Sequence, residues 1–208
     1  MMADERDHAM IISKYLNEKL MVSYEAHQGL KNIITELAES NQLRVILFVS
    51  QIVLEWTATN LLSSLLLKNP EPLFSKILIR IVKDESRHLA FNRLAAHLLE
   101  TAGDALSTSS EELLIDSVVA CISSLCAIPV WREYGFEGSS AKSYAIAEIQ
   151  RRGILNYYNK VLPRELRKCG LWSHRIETFF NSDTELLNRL QKDHFSYEPS
   201  QTEVKNAA

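Results

Sequence analysis

Glycine and proline are scarce in this chain, six and five among 208 residues, and they fall near what read as element boundaries. With so few turn residues and so much Leu, Ile, Ala and Glu, the composition argues for an all-α protein. Cysteine is scarce too. Cys121, Cys126 and Cys169 are an odd number and match no zinc-ligand spacing. Cys121 and Cys126 lie in an apolar stretch and are expected as buried thiols rather than a disulfide. There is no excess of positive charge: the net charge is -3 and the pI near 6.1, which removes the electrostatic case for nucleic acid. The start of the chain is polar and acidic where a secretory leader is basic and then apolar. One apolar stretch, 45–67, is long, but it carries Ser50, Gln51, Glu55, Thr57, Thr59, Asn60, Ser63 and Ser64. A membrane span seldom accepts that polar load, so a soluble, cytoplasmic protein with no membrane partner is expected. No flavin or nicotinamide motif is present.

The length fits one domain, expected over 1–195, with a polar, disordered tail at 196–208. Apolar spacing predicts a first helix to about residue 21 and a second over 24–39, with Ser40 and Asn41 as break and cap. A long helix is expected over 42–68, stopped by Asn69-Pro70, and another over 71–102, with Pro72 in its first turn and Gly103 at its end. A loop over 103–110 precedes a helix at 111–127, with Pro129 marking its end or a kink. Gly135 and Gly138 bracket a turn before a helix at 139–168, closed by Gly170 and kinked or interrupted by Pro163. A short helix is expected at 173–190.

One short pattern occurs twice: Asp4-Glu5-Arg6-Asp7-His8 and Asp84-Glu85-Ser86-Arg87-His88. Residues i and i+3 share a helix face, so each Glu-His pair can aim two ligand atoms at one point. A single Glu-x-x-His is weak evidence, since solvated helix faces carry many. Between the two copies stands Glu55, the lone charged residue from Val45 to Leu67. A carboxylate buried there costs several kcal/mol unless it is paired or bound to metal; a structural ion pair with arginine is the bland alternative. About fifteen residues lead up from Glu55 to the expected turn and about fifteen lead back, so Glu85 returns to the height of Glu55. Ile77, Ile81, Glu85, His88 and Asn92 form one stripe. Carboxylates and imidazoles suit non-haem iron, and no nearby cysteine competes to make a thiolate site. A glutamate from each of two helices plus a Glu-x-x-His from each of two others is the ligand set of carboxylate-bridged di-iron bundles.

Glu5-Arg6-Asp7-His8-Ala9-Met10, Glu55 and Asp84-Glu85-Ser86-Arg87-His88-Leu89-Ala90-Phe91 resemble the ferritin-like di-iron oxygenases, and most closely the p-aminobenzoate N-oxygenase family. The Leu162-Pro163 to Gly170-Leu171 stretch is similar to the end of that family's bundle. The resemblance implies a ferritin-like helical bundle with additional C-terminal helices. It implies Glu5, His8, Glu55, Glu85 and His88 as metal ligands. Asp4 and Asp84 would each accept the N–H of the other motif's histidine, and Arg87 matches an arginine common before the histidine. Two irons would be held, with manganese as the substitute metal. Oxygen, an external electron donor and a small organic substrate such as an aryl amine are the implied partners, and a homodimer is open. The activity implied is monooxygenation, with N-oxygenation the family's reaction. Two alternatives stand beside it: a truncated or inactive ferritin-like scaffold with weak or no metal binding, and a radical-generating reductase-like subunit, which needs a tyrosine near the metals. No individual catalytic side chain is singled out.

The sequence departs from the family twice. Ile81 stands where the family has a further histidine, and the family's other lone glutamate belongs to a helix upstream of the residue that matches Glu5. Glu18, Glu25, Glu36 and Glu39 lack the isolated apolar setting of Glu55. His27, His97, His174 and His194 are expected as surface or core residues.

Overall fold

The computed structural model describes residues 2–22, 26–68, 71–99, 106–151 and 154–192. Among them every regular element is a helix, in keeping with the shortage of turn residues. The order is α1 (Met2–Lys14), which runs into a π-helical turn (Tyr15–Leu20); α2 (Gln28–Glu39); α3 (Leu43–Leu47), a π-helical segment (Phe48–Leu54) and α4 (Glu55–Lys68); and α5 (Pro72–Leu99). Then come α6 (Thr108–Ser124), α7 (Ile128–Glu133), α8 (Gly138–Arg151), α9 (Ile154–Lys168), α10 (His174–Asn181) and α11 (Asp183–Lys192).

The apolar pattern decides which helix goes inside. From Leu113 to Ser123 of α6, every residue but Asp116 is buried. A helix with almost no polar face must be surrounded. α2, the π-helical segment, α10 and α11 pack around it. Phe48, Val49 and Val53 of that segment enter this core together with Tyr158, Leu162 and Leu166 of α9 and Phe179 of α10. A smaller cluster, Tyr15, Ile77 and Ile81, gathers Ile11, Ile12, Leu62 and Phe74 and joins α1, α4 and α5. The run 43–68 therefore has the main core on one side and α5 on the other.

Several boundaries differ from the periodicity. The run expected as one α-helix over 42–68 changes to π-helical geometry just before Glu55, and the Glu55 N–H bonds back to the carbonyl of Ser50. Composition carries no signal for such a segment, because it costs local hydrogen-bond geometry that only packing repays. α6 begins at Thr108, three residues early, because the Ser107 hydroxyl accepts the Ser110 N–H as an N-cap. Ala127, with φ 49°, ends the turn after α6, and Pro129 lies in the first turn of α7. Pro163 does not interrupt α9. It removes one backbone donor, but the buried Leu162 and Leu166 beside it hold the helix in place. Gly170, at φ 64°, ends α9 with bonds from its own N–H to Arg167 and from Leu171 N–H to Leu166, a Schellman closure. The expected 173–190 helix is two helices that meet at Ser182. The breaks expected at Asn69-Pro70 and Gly103 and the tail at 196–208 lie outside the described residues. The helical runs Leu43–Lys68 and Thr108–Glu133 are long and apolar enough to cross a membrane by length and composition, and the second is mostly buried in the core. Cys121, Cys126 and Cys169 are all buried.

Candidate metal centre

Each Glu-x-x-His sits on one helix, and each therefore presents its two side chains on one face. Glu5 and His8 come from α1, Glu85 and His88 from α5, and Glu55 is the first residue of α4. His8, Glu55, Glu85 and His88 are buried, while the Glu5 side chain is about half exposed at 48 %. One ligand atom from each of Glu5, Glu55, Glu85 and His88 lies within 4.8 Å of the others, a group able to hold a metal ion.

The carboxylates divide their oxygens between the two imidazoles. Glu5 places Oε1 at 3.0 Å from His88 Nδ1 and Oε2 at 4.0 Å from His8 Nδ1. Glu85 does the reverse, with Oε1 at 3.0 Å from His8 Nδ1 and Oε2 at 3.5 Å from His88 Nδ1. Glu55 belongs to one side: its Oε1 is 3.9 Å from His88 Nδ1. Among the described residues, His8 Nδ1 has ion-pair partners only in Glu5 and Glu85.

The outer nitrogens are crossed between the motifs. Asp4 Oδ2 lies 3.0 Å from His88 Nε2, and Asp84 Oδ2 lies 3.3 Å from His8 Nε2. Arg87 Nη2 donates to the other oxygen of Asp84 at 2.5 Å. An ionised aspartate can only accept, so it places the proton of a neutral imidazole on Nε2. Nδ1 then carries a lone pair and faces carboxylate oxygens, acceptor against acceptor. A proton or a metal cation between them relieves this. His88 Nδ1 and Glu85 Oε2 are both buried without a hydrogen-bond partner, although Glu5 Oε1 lies 3.0 Å from His88 Nδ1. Two deeply buried polar atoms left unpaired and aimed at one spot are what a cation site requires. Carboxylate and imidazole donors, with their Nε2–H groups held by carboxylates, fit a first-row divalent metal.

Electrostatics agree with this geometry. Burial, then the charge of Glu85, pushes the Glu55 carboxyl up to about 7. Burial, then Glu5, raises Glu85. Burial pulls His88 down, but the Asp4 hydrogen bond and the charges of Glu55, Glu85 and Glu5 together raise it. The same bond lowers Asp4. Without a cation the carboxylates resist ionisation in one another's company.

Ile81 is buried in the small α1–α5 cluster and supplies packing one turn before Glu85. Glu18, Glu36 and Glu39 are exposed and are not members of the group able to hold a metal ion, and Glu25 lies outside the described residues. His174 is exposed, the side chain of His97 and all of His194 lie outside the described residues, and His27 is half-buried. Sequence reading missed Gln51, one turn before Glu55, whose Oε1 is buried without a hydrogen-bond partner. Its place in an apolar run next to a lone glutamate was the available signal. Comparison with protein-family models, with curated proteins and with solved structures found no match for this chain.

Proposed function

We propose that this chain is a non-haem di-iron oxygenase that activates oxygen to oxidise a small organic substrate, on a ferritin-like arrangement of α1, α4 and α5. The observation that carries the reading is the division of the Glu5 and Glu85 oxygens between His8 and His88, with the outer nitrogens crossed to Asp4 and Asp84. So arranged, Glu5 and Glu85 would each offer an oxygen toward either imidazole, with His8 and His88 each holding one side. Glu5, His8, Glu55, Glu85 and His88 would hold the ions. The bound iron would supply electron transfer to oxygen, which side chains cannot perform. The chain's own part is binding and orientation. Asp4 and Asp84 fix both histidine tautomers, and the buried Ile77 and Ile81 pack α5 against α1 on the turns before Glu85. Electrons would come from an external donor, in a cytoplasmic setting. An aryl amine is the substrate class that the family resemblance suggests. Carbon oxidation is its rival, because Ile81 replaces the further histidine.

The radical-generating alternative gains no support from Tyr15, whose hydroxyl is directed at Glu71 Oε2 at 3.5 Å rather than at the ligand set. The test is anaerobic loading with ferrous iron, followed by oxygen uptake and Mössbauer spectroscopy. A coupled ferric pair after oxygen exposure is expected, and His88→Ala should abolish it while leaving helical circular dichroism unchanged. Full oxygen uptake in the His88→Ala protein would overturn the reading. Absence of any tight iron in the folded wild-type chain would leave the inactive scaffold as the better account.

A further inference from the structure

The two halves of the centre are related by a pseudo-two-fold that pairs Asp4 with Asp84, Glu5 with Glu85 and His8 with His88. The halves are unequal. The His88 side draws on His88 Nδ1, Glu55 Oε1, Glu5 Oε1 and Glu85 Oε2, four donors. The His8 side has His8 Nδ1 and the other oxygens of Glu5 and Glu85, three donors, among the described residues. The group whose ligand atoms lie mutually within 4.8 Å includes His88 and leaves out His8. The distances behind the two imidazoles differ as well: Asp4 lies 3.0 Å from His88 Nε2 and Asp84 3.3 Å from His8 Nε2.

Resting on the metal-centre reading, we propose that the two cation positions fill in order, His88 first and His8 second, and that the His8 position takes a small carboxylate anion from solution. Three protein donors fall short of the six that a hard divalent ion prefers. The anion would bind on the donor-poor side, where Arg87, exposed and paired with Asp84, offsets the charge of that carboxylate. A substrate bearing a carboxylate would use the same position, so substrate binding and metal completion become one event.

Cobalt(II) titration of the full chain, followed by visible absorption and calorimetry, tests this without turnover. Two phases are expected in the wild type, the first at least about 10-fold tighter than the second. His8→Ala should keep the first phase and lose the second, while His88→Ala should weaken the first by about 100-fold or more. Glu55→Gln should bring the two phases together. Acetate should change the cobalt spectrum only after the second equivalent has bound. Helical circular dichroism checks each variant, and His8→Gln replaces His8→Ala if the latter fails to fold. Two equal phases in the wild type, loss of the first phase in a folded His8 variant, or an acetate effect at the first equivalent would each overturn the ordered filling while leaving a metal centre in place. Absence of any cobalt binding by the folded wild type would overturn the metal-centre reading as well.

Discussion

At the scale of single residues, the informative pairs are Asp4 with His88 and Asp84 with His8. Each aspartate precedes one motif's glutamate yet supports the other motif's histidine. Asp4→Asn should therefore weaken metal binding at the His88 position, not at its own motif's His8, and Asp84→Asn should do the opposite. The expected loss is about 10–100-fold in each case, typical of a carboxylate behind a metal-bound histidine. Metal titration of the two variants checks it, and equal effects on both positions would mean that the crossing does not matter. Glu55 offers a second test, in the metal-free protein. Its carboxyl is pushed up to about 7 in the fold, against 4.5 when free. Between those values the folded state holds a proton that the unfolded state has lost, so this group's effect on stability worsens as pH rises through that window. Glu55→Gln removes the ionisation. The chelated variant should be more stable than the chelated wild type at about pH 8, by up to about 3 kcal/mol, with a smaller gap at about pH 5. Urea melts at both pH values measure this; a gap that does not widen with pH would contradict it.

At the scale of elements, α4 serves two neighbourhoods at once. Glu55 faces α5 and the ligand set, while Thr57, two residues on, donates to Val53 O and accepts a 2.7 Å bond from the buried Tyr158 hydroxyl. Trp56 meets the Tyr158 ring edge-on at 6.0 Å. Burial pushes the Tyr158 hydroxyl far up, so it stays a neutral hydrogen-bonding group. Tyr158→Phe should cost about 1 kcal/mol of stability, the usual net worth of one such bond. Metal stoichiometry should not change, because Tyr158 lies on the core side of the helix. Calorimetric melting together with metal analysis separates the two effects, and lost metal would show that the core side of α4 positions Glu55. The π-helical segment has the same double allegiance. Phe48, Val49, Ile52 and Val53 are buried, and the segment hands over to α-helix at the residue that faces the site. π-helical geometry is often found next to functional residues, and here it sets the angular position of Glu55 relative to the core residues before it.

At the scale of the whole molecule, the late helices are clasped to the central helix by charge. Arg189 of α11 reaches Glu112 Oε2 and Asp116 Oδ1, both at 2.9 Å, and Arg175 of α10 reaches Glu112 Oε1 and Glu185 Oε1, also at 2.9 Å. Burial alone would raise Glu112, but its hydrogen bonds to Arg189 and Arg175 lower it below its free value of 4.5. For a carboxylate lowered in the fold, the stabilisation is whole above the free value and fades as pH falls through the folded one. Arg189→Leu should therefore lower stability at about pH 7 and make little difference at about pH 2.5, where the carboxylates are protonated in both states. Urea melts at the two pH values test this, and an equal loss at both would assign Arg189 a packing role instead. The clasp lies on α6, α10 and α11, away from the ligands on α1, α4 and α5, so metal affinity in this variant should match the wild type.

The sequence by itself determined the helical class and the composition of the candidate centre. Scarce glycine and proline, helical apolar spacing, two Asp-Glu-x-x-His copies and a lone glutamate in an apolar run are local facts. They fix propensity and helix face whatever the rest of the chain does. The equal distances along the chain from Glu55 and Glu85 to the turn expected at Asn69-Pro70 were also legible, because helical rise is constant. Tertiary structure decided what depends on residues far apart in sequence. The π-helical segment before Glu55, the passage of α9 through Pro163 and the early start of α6 were settled by packing and by one cap. Which carboxylate oxygen meets which imidazole, and that Glu55 falls on the side of His88 rather than His8, follow from how α1 and α4 lie against α5. Those placements join side chains some 30 to 80 positions apart. No local pattern carries that information, because the energy that selects it is the burial and mutual repulsion of groups that meet only after the helices have packed.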